Sequence, residues 1–201
     1  MTGSSGKKRK VLADSSGGGH WVQMMRLSHI LREPVPPNGA ARKVPSNAQV
    51  RPRLRVMAVA SCGGHWVQLR KLSMVLEKND IAYVTVSEDY RQEVSGARFY
   101  SVIDANLSDK LKLLLLAFQM AVVVIRERPE VVISTGAAPG FLALFWSRLL
   151  FGSRTVWIDS IANSERLSAS GRQAGRFSDL WLTQWKHLRS DGGPRYEGSI
   201  L

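Results

Sequence analysis

The chain has 201 residues, 44% of them hydrophobic, and a formal charge of +12 at neutral pH. This length suits one ordinary domain with a tail and leaves little room for two full domains. The positive charge is concentrated at the start, because residues 1–55 contain eleven Lys or Arg and two acids, whereas the remainder contains seventeen and fourteen. A basic tail attracts nucleic acid and anionic lipid alike, and a solvated, disordered arm is an equally good interpretation of it.

Three features of the sequence favour a cytoplasmic location. The single cysteine, Cys62, excludes an intrachain disulfide framework and a four-cysteine zinc site, and it suits a reducing compartment. The first residues lack the apolar core of a secretory signal. The longest apolar run, Leu113 to Ile125, has thirteen residues, whereas a membrane-spanning helix needs roughly 20. We therefore expect this run in a buried or interfacial helix.

One segment occurs twice, at an offset of 45 residues. Lys10–Leu31 matches Arg55–Leu76 at twelve of 22 positions, including a Gly-Gly-His-Trp-Val-Gln core. A β-branched and aromatic run typical of a strand, Ile81–Val86, follows the second copy, whereas a proline-rich segment follows the first. We therefore expect residues 1–54 to form a basic, disordered tail and residues 55–201 to form the folded domain.

Strands and helices alternate from residue 55 onward. In chain order the pattern predicts strand Arg55–Ala60, helix His65–Lys78, strand Ile81–Val86, a short strand near Phe99–Ile103, a long helix from Ser108 to about Arg126, strand Val131–Ser134, helix Pro139–Phe151, and strands Arg154–Ile158 and Leu180–Thr183. Asn106 or Ser108 is the expected cap of the long helix. This alternation predicts an α/β fold with a Rossmann-like parallel sheet and helices on both faces.

Two predicted strands end in glycine-rich turns that open helices, from Ser61 to His65 and from Thr135 to Gly140. Ligands bind beyond the C-terminal ends of such strands, where glycine admits a close approach and free N–H groups favour phosphate. Neither turn matches a P-loop or a dinucleotide fingerprint, and a purely structural Gly-Gly-His turn is an equally good interpretation. We expect a phosphate-binding cleft with these contact residues: Ser61, Gly63, Gly64, Gly136, Ala137 and Gly140.

Polar groups suited to sugar and proton chemistry lie at the same predicted edge. Asp159, Asn163 and Glu165 follow a strand and are expected to contact sugar hydroxyls, although a cap or turn role is equally compatible with each. His65 is the candidate catalytic base, although a histidine bonded to backbone at a helix start is the commoner case. No cofactor and no metal ion are expected.

Two further sets of residues have alternative interpretations. Four tryptophans could stack on sugars, but their apolar spacing favours packing in a core or interface: Trp146, Trp157, Trp181 and Trp185. Basic residues bracket the long helix, which suits a helix lying among lipid headgroups or an ordinary amphipathic helix with solvated ends: Lys110, Lys112, Arg126 and Arg128.

Several segments resemble a known family. They look like the Alg14-type subunit of oligosaccharide-lipid glycosyltransferases, and especially like bacterial exopolysaccharide proteins of the PssD and CpsF kind: Trp157–Ile161, Leu167–Arg172, Asp179–Trp185 and Tyr196–Ser199. The resemblance runs from about Arg55 to Leu201. Cys62 is a departure, because it stands where the family has glycine.

The resemblance implies a GT-B architecture divided between two chains. This chain would be the N-terminal Rossmann-like half, which binds the membrane and a lipid-linked acceptor, and a separate Alg13- or PssE-like catalytic subunit would bring most of the UDP-sugar site. The similar single-chain enzyme MurG has a Gly-Gly-His turn and a later glycine-rich turn, matched here by Gly63–His65 and loosely by Gly136–Gly140. The implied location is peripheral, on the inner face of the cytoplasmic membrane.

Three functional hypotheses follow. The first is a hexosyltransferase subunit that acts on a UDP-sugar and an undecaprenyl-diphosphate-linked acceptor in exopolysaccharide or capsule biosynthesis, with inversion to a β-linkage. The second is a non-catalytic membrane anchor that activates a separate Alg13-like catalytic subunit. The third, nucleic-acid binding through the tail, lacks an aromatic-basic module, so no nucleic acid partner is expected.

Overall fold

A computed structural model describes residues 53–106 and 108–200. Seven strands form one sheet in the order β3-β2-β1-β4-β5-β6-β7, and every neighbouring pair is parallel. The strands are β1 Arg55–Val59, β2 Asp80–Thr85, β3 Arg98–Ser101, β4 Val131–Ser134, β5 Arg154–Ile158, β6 Leu180–Thr183 and β7 Arg195–Tyr196. The first copy of the duplicated segment and residues 1–52 of the predicted tail lie outside the described residues.

Within the described residues, the α-helices are α1 Gly64–Lys71, α2 Ser73–Leu76, α3 Lys110–Glu127, α4 Ala137–Phe151 and α5 Ala169–Ala174. The same part of the chain contains three short 3-10 segments, Glu88–Val94, Gly175–Phe177 and Lys186–Leu188. Strand β7, helix α5 and the 3-10 segments have no counterpart among the predicted elements. They are short, and periodicity is a weak signal over so few residues.

The predicted helix His65–Lys78 was wrong in one respect, because it is two helices that meet at Leu72. Two tighter i→i−3 bonds interrupt the α-helical ladder, from Leu72 N–H to the Leu69 carbonyl (3.0 Å) and from Val75 N–H to the Leu72 carbonyl (3.0 Å). The apolar stripe continues through this break, since Leu69, Leu72 and Leu76 are all fully buried. A common apolar face therefore made two helices look like one in the sequence.

The cap of helix α3 also differs from the prediction. Asp109 is the N-cap, because its side chain accepts the Lys112 N–H at 3.0 Å. Asn106 instead accepts the N–H groups of Ser108 and Asp109, at 3.0 and 3.1 Å, and so shapes the turn before the helix. Several residues that favour the N-cap position lie close together in the sequence, and the backbone conformation determines which of them caps the helix.

Side chains of successive strand residues enter two cores on opposite faces of the sheet. In β1, Val56 and Ala58 join Trp66 and Leu69 of α1 on one face. The other face is covered by α3, α4 and α5, whose buried residues pack on alternate residues of β1, β4 and β5. The predicted α/β fold with helices on both faces is confirmed.

The strand order places a topological switch between β1 and β4. From β1 the chain proceeds outward to β2 and β3, returns to β4 beside β1, and continues outward in the other direction. In open α/β sheets of this kind, the crevice at the C-terminal ends of the two central strands is where ligands bind. Both glycine-rich turns follow these two strands.

Candidate functional site

The two glycine-rich turns contact each other at the switch point. The His65 ring nitrogen Nδ1 lies 2.9 Å from the Thr135 carbonyl oxygen, and the Thr135 hydroxyl donates to the His65 carbonyl at 2.7 Å. A Cβ atom added to Gly136 would lie 2.5 Å from the His65 ring. The imidazole therefore packs on the bare backbone of the second turn, and the residues of the two turns form one site.

This contact sets the tautomer of His65. A carbonyl oxygen only accepts hydrogen bonds, so Nδ1 carries the proton that it donates to Thr135, and Nε2 of the neutral ring carries the lone pair. His65 is half-buried. A fixed ring with a basic Nε2 is the arrangement that a general base needs. The same backbone bond also fits the structural role foreseen as the commoner case.

The first turn depends on glycine at one position. Gly63 has a φ of +62°, in the left-handed region, and precedes the first residue of α1. Its N–H donates to the Tyr90 hydroxyl at 3.0 Å. Cys62 is exposed, and it is absent from the non-glycine residues with positive φ in the described chain, so its side chain costs no backbone strain. Gly64 is exposed beside it.

Ser61 lies deeper than the other residues of this turn. It is 8% exposed, and its carbonyl accepts the Thr85 hydroxyl at 3.1 Å, which joins the end of β1 to the end of β2. The structure therefore places Ser61 under the turn and Gly63 and Gly64 at its surface.

The second turn contains unusual backbone. Gly136 has a φ of +139°, and the following Ala137 has a φ of +66°, a conformation that an L side chain seldom adopts. The N–H of Gly136 donates to the Ser134 hydroxyl at 3.1 Å. Gly140 is buried within α4, where an added Cβ would lie 1.8 Å from the Ser134 hydroxyl. Glycine at 140 therefore serves close packing of helix α4 on strand β4.

The loop after β5 is organised around the Asp159 carboxylate, which is 1% exposed. It accepts the Ser168 hydroxyl at 2.6 Å, the Ser168 N–H at 3.0 Å and the Asn163 amide at 3.4 Å. Each carboxylate oxygen thus has a hydrogen-bond partner inside the protein. Asp159 shapes the loop, Asn163 is half-buried beside it, and Glu165 is exposed. No hydrogen bond or ion pair found in the described part of the chain joins these three to His65.

A buried chain of amides joins this loop to the first turn. Gln68 of α1, 3% exposed, donates to the Ser160 hydroxyl at 3.1 Å and accepts the Ile161 N–H at 3.3 Å. Gln184, 4% exposed, donates to the Gln68 amide oxygen at 2.6 Å and accepts the Ile200 N–H at 2.9 Å. Sequence reasoning missed both as site residues, although Gln68 recurs as Gln23 in the duplicated segment.

The tryptophans have packing roles, as their spacing indicated. Trp157 is fully buried, and the Trp146 indole donates to the Ala117 carbonyl at 3.0 Å. The Trp185 indole donates to the Ile161 carbonyl at 2.8 Å, which holds the loop after β5. Trp181 packs on Gly175, where an added Cβ would lie 2.4 Å from its ring.

Helix α3 exposes a continuous apolar stripe. Its members recur along one side of the helix and are 49–79% exposed: Leu111, Leu114, Leu115, Phe118, Val122 and Ile125. The buried face of the same helix, including Leu116 and Met120, packs on the sheet. Within residues 53–106 and 108–200, no helix combines the length and apolar character needed to cross a bilayer.

Comparisons with known proteins agree with the fold and the motifs. A protein from Eremothecium gossypii, UDP-N-acetylglucosamine transferase subunit ALG14, is 38% identical over 65 residues, which cover 30% of this chain and 29% of that protein. MurG of Acinetobacter baumannii superposes with a TM-score of 0.57 at 13% identity, over 69% of this chain and 44% of MurG. A Listeria monocytogenes protein assigned as UDP-N-acetylglucosamine 2-epimerase has a TM-score of 0.50 at 12% identity, over 68% of this chain and 40% of its own. The chain thus spans less than half the length of each of these proteins.

The two structural likenesses show the fold alone, which is the one expected for half of a GT-B enzyme. The family is shown by the sequence: residues 94–199 match the profile of the family described as oligosaccharide biosynthesis protein Alg14 like. They include the loop after β5, Gln184 and the C-terminal segment that Gln184 holds. The chain belongs to the Alg14-like family.

Proposed function

We propose that this chain is the acceptor-binding and membrane-binding subunit of a two-chain glycosyltransferase. The enzyme transfers a hexosyl group from a UDP-sugar to an undecaprenyl-diphosphate-linked acceptor in exopolysaccharide or capsule biosynthesis. The observation that carries the proposal is the contact of His65 with the Thr135–Gly136 turn, which builds one site at the switch point. Membership of the Alg14-like family supports it, as does the likeness to the Eremothecium gossypii UDP-N-acetylglucosamine transferase subunit.

His65 acts as the general base in this proposal. Nε2 takes the proton of the acceptor hydroxyl while that oxygen forms a bond to the anomeric carbon, and UDP leaves with the electron pair of the broken carbon–oxygen bond. Attack opposite the leaving group inverts the anomeric centre. The Nδ1 bond to Thr135 fixes the ring during this transfer.

The glycine-rich turns hold a diphosphate. The N–H groups at the start of α1, beside the exposed Gly63 and Gly64, face the ligand site. Gly136 and Ala137 line the opposite side, with Ser61 and Gly140 supporting the turns from beneath. Asn163 and Glu165 contact sugar hydroxyls from the loop after β5, and Asp159 positions that loop through Ser168.

The donor site is shared with a partner in this proposal. An Alg13- or PssE-like catalytic subunit supplies most of the UDP-sugar site, and the expected tail, residues 1–54, lies outside the domain except for its last residue. The folded domain already includes Leu54, which packs on the core and accepts the Asp80 N–H at 2.9 Å.

Helix α3 holds the subunit on the inner face of the cytoplasmic membrane. Its exposed apolar stripe enters the interfacial region, and four basic residues flank it: Lys110, Lys112, Arg126 and Arg128. Such a helix binds anionic bilayers through apolar burial and headgroup attraction together. Because the helix starts near the C-terminal edge of the sheet, membrane binding brings the lipid-linked acceptor to the site.

The test is transfer activity of the chain co-expressed with its partner, assayed over a panel of UDP-sugars. We expect His65→Ala to lower the rate by about 10²–10⁴-fold, because a positioned base contributes that much. His65→Asn retains a side-chain N–H able to reach the Thr135 carbonyl but has no base, so it should be equally impaired. Full activity in His65→Asn would assign His65 a structural role, and His20→Ala in the first copy serves as the matched control.

The second candidate is a non-catalytic anchor that activates a separate Alg13-like subunit. The apolar stripe of α3 is the observation behind it, because an exposed apolar surface of this kind marks an interaction site and by itself requires no catalytic role of the chain. Under this alternative the purified chain neither binds nor transfers a UDP-sugar, and the partner alone retains weak activity. Both properties are measured with the separated subunits.

A further inference from the structure

Tyr90 lies at the first glycine-rich turn, although it comes from a distant part of the chain. Its hydroxyl oxygen is 3.0 Å from the Gly63 nitrogen, 27 residues away in sequence, and accepts that N–H. Tyr90 belongs to the 3-10 segment Glu88–Val94 that follows β2. This segment therefore reaches from the end of the next strand to contact the turn.

The tyrosine is held rigidly in this position. Its ring stacks on Trp66 of α1, with centroids 4.8 Å apart and planes 16° from parallel. The Trp66 indole donates to the Glu93 carboxylate at 2.8 Å, and Arg70 donates to the Glu93 carbonyl at 3.0 Å. Two contacts from α1 thus fix the segment that carries Tyr90 on the same helix whose first residues form the turn.

The Tyr90 hydroxyl can still donate one hydrogen bond. A phenol is both an acceptor and a donor, and accepting the Gly63 N–H leaves its own proton to donate. No acceptor for this proton is found in the described part of the chain. Gly63 and Gly64 are exposed next to it, so a ligand oxygen at the turn lies within reach.

We propose that Tyr90 is a further ligand-binding residue, which donates its phenolic proton to a diphosphate oxygen held at the Gly63–Gly64 turn. This inference rests on the proposed function, because it takes the turn to be the diphosphate site. A diphosphate occurs both in a UDP-sugar and in a lipid-linked acceptor, and the hydroxyl chemistry is the same for both.

The experiment measures ligand binding to the full chain by NMR, with inorganic pyrophosphate as the first probe. Tyr90→Phe removes the hydroxyl and keeps the ring stacked on Trp66. We expect it to bind pyrophosphate about tenfold more weakly or worse, as for loss of a hydrogen bond to a charged group. Tyr83→Phe is the matched control, because its hydroxyl accepts from Arg70 of the same helix at 3.1 Å, away from the turn.

The outcomes separate this inference from the function on which it rests. If the natural chain and Tyr90→Phe bind pyrophosphate with the same affinity, the role of Tyr90 is overturned and the proposed function is unaffected. A loss of affinity accompanied by large shifts of the Gly64 and His65 amide resonances before ligand is added also overturns direct donation, since Tyr90 would then act only on the turn. A natural chain that fails to bind pyrophosphate overturns both proposals.

Two further titrations identify the source of the diphosphate. Farnesyl diphosphate represents the lipid-linked acceptor and UDP represents the donor. If the turn holds the acceptor, Tyr90→Phe lowers the affinity for farnesyl diphosphate about tenfold and leaves the affinity for UDP unchanged. The reverse result assigns the turn to the donor and overturns the acceptor-binding role of the proposed function, while Tyr90 remains a ligand donor.

Discussion

His65 and Gly136 are in close contact, and the position of the His65 ring depends on the absence of a side chain at residue 136. The imidazole occupies the space that a Cβ at position 136 would take, only 2.5 Å from ring atoms. The Thr135 carbonyl that orients the ring belongs to the residue just before this glycine. A glycine in one turn is thereby required by a histidine in the other.

Gly136→Ala tests this pair. The added methyl group must displace the His65 ring, so we expect loss of transfer activity approaching that of His65→Ala, together with a lower melting temperature. Gly96→Ala is the matched control, because Gly96 also has a positive φ (+91°) but has nothing within 4 Å of an added Cβ. Both variants should lose about 1–3 kcal/mol of stability from the backbone strain alone. Equal activities in the two would show that the contact with His65 is unimportant.

Part of the site could be predicted from the sequence at the scale of single residues. The Gly-Gly-His turn is local, and its position after a strand was visible in the pattern. Tyr90 was missed because nothing in the sequence indicates that residue 90 returns to residue 63. For Asp159 the sequence left a sugar contact and a cap or turn role open, and the structure shows its carboxylate hydrogen-bonded to Ser168, nine residues away.

Helix α3 has two unlike faces, one packed on the sheet and one exposed and apolar. Phe118 is 66% exposed near the centre of the apolar stripe. We expect Phe118→Glu to lower binding to anionic phospholipid vesicles by about tenfold or more, because an aromatic contact is lost and a like charge is added. Met74→Glu makes the same change in charge at a residue of α2 that is 70% exposed on the other face of the sheet. Sedimentation with vesicles measures both, and equal binding would exclude α3 as the membrane surface.

The N-cap of α3 makes the stability of this helix depend on pH. The hydrogen bond from the Lys112 N–H lowers the pKa of the Asp109 carboxyl below its ordinary value. A lowered folded-state pKa contributes stability that is complete above the ordinary value and is lost as the pH falls through the lowered one. We therefore expect Asp109→Ala to melt below the natural protein at neutral pH, with the gap narrowing in acid.

Asp109→Asn is the matched control for this prediction. Asparagine also caps helices but does not titrate, so the melting temperature of Asp109→Asn should stay above that of Asp109→Ala in acid. Thermal melts from neutral pH to about pH 3 compare the three proteins. A gap between the natural protein and Asp109→Ala that stays constant over this range would contradict the assigned cap.

At the scale of the whole molecule, Gln68 and Gln184 join segments that are far apart in sequence. They lie 116 residues apart, and through them α1, the loop after β5 and the C-terminal segment share one buried network. Such a network stabilises only when each member is paired, because a buried amide without a partner keeps its full desolvation penalty.

A double-mutant cycle measures this coupling. Gln184→Ala should lower the free energy of unfolding by about 2–3 kcal/mol, since it removes the hydrogen-bond partner of the buried Ile200 N–H and of the Asp159 carbonyl. Combined with Gln68→Ala, the cycle should give a coupling energy of about 1 kcal/mol or more. Gln173→Ala, at an exposed position of α5, is the control and should be nearly neutral. Strict additivity of the two core variants would show that the amides act independently.

The sequence by itself determined the fold class, most strand positions and the family resemblance, because these depend on short-range periodicity and on motifs that are continuous in the chain. The tertiary structure decided which residues meet: His65 with Gly136, Gly63 with Tyr90, and Gln68 with Gln184. These contacts follow from the strand order, which places β1 between β2 and β4 at the centre of the sheet. Burial patterns are nearly the same for any order of buried parallel strands, so this choice is made only when the whole sheet assembles.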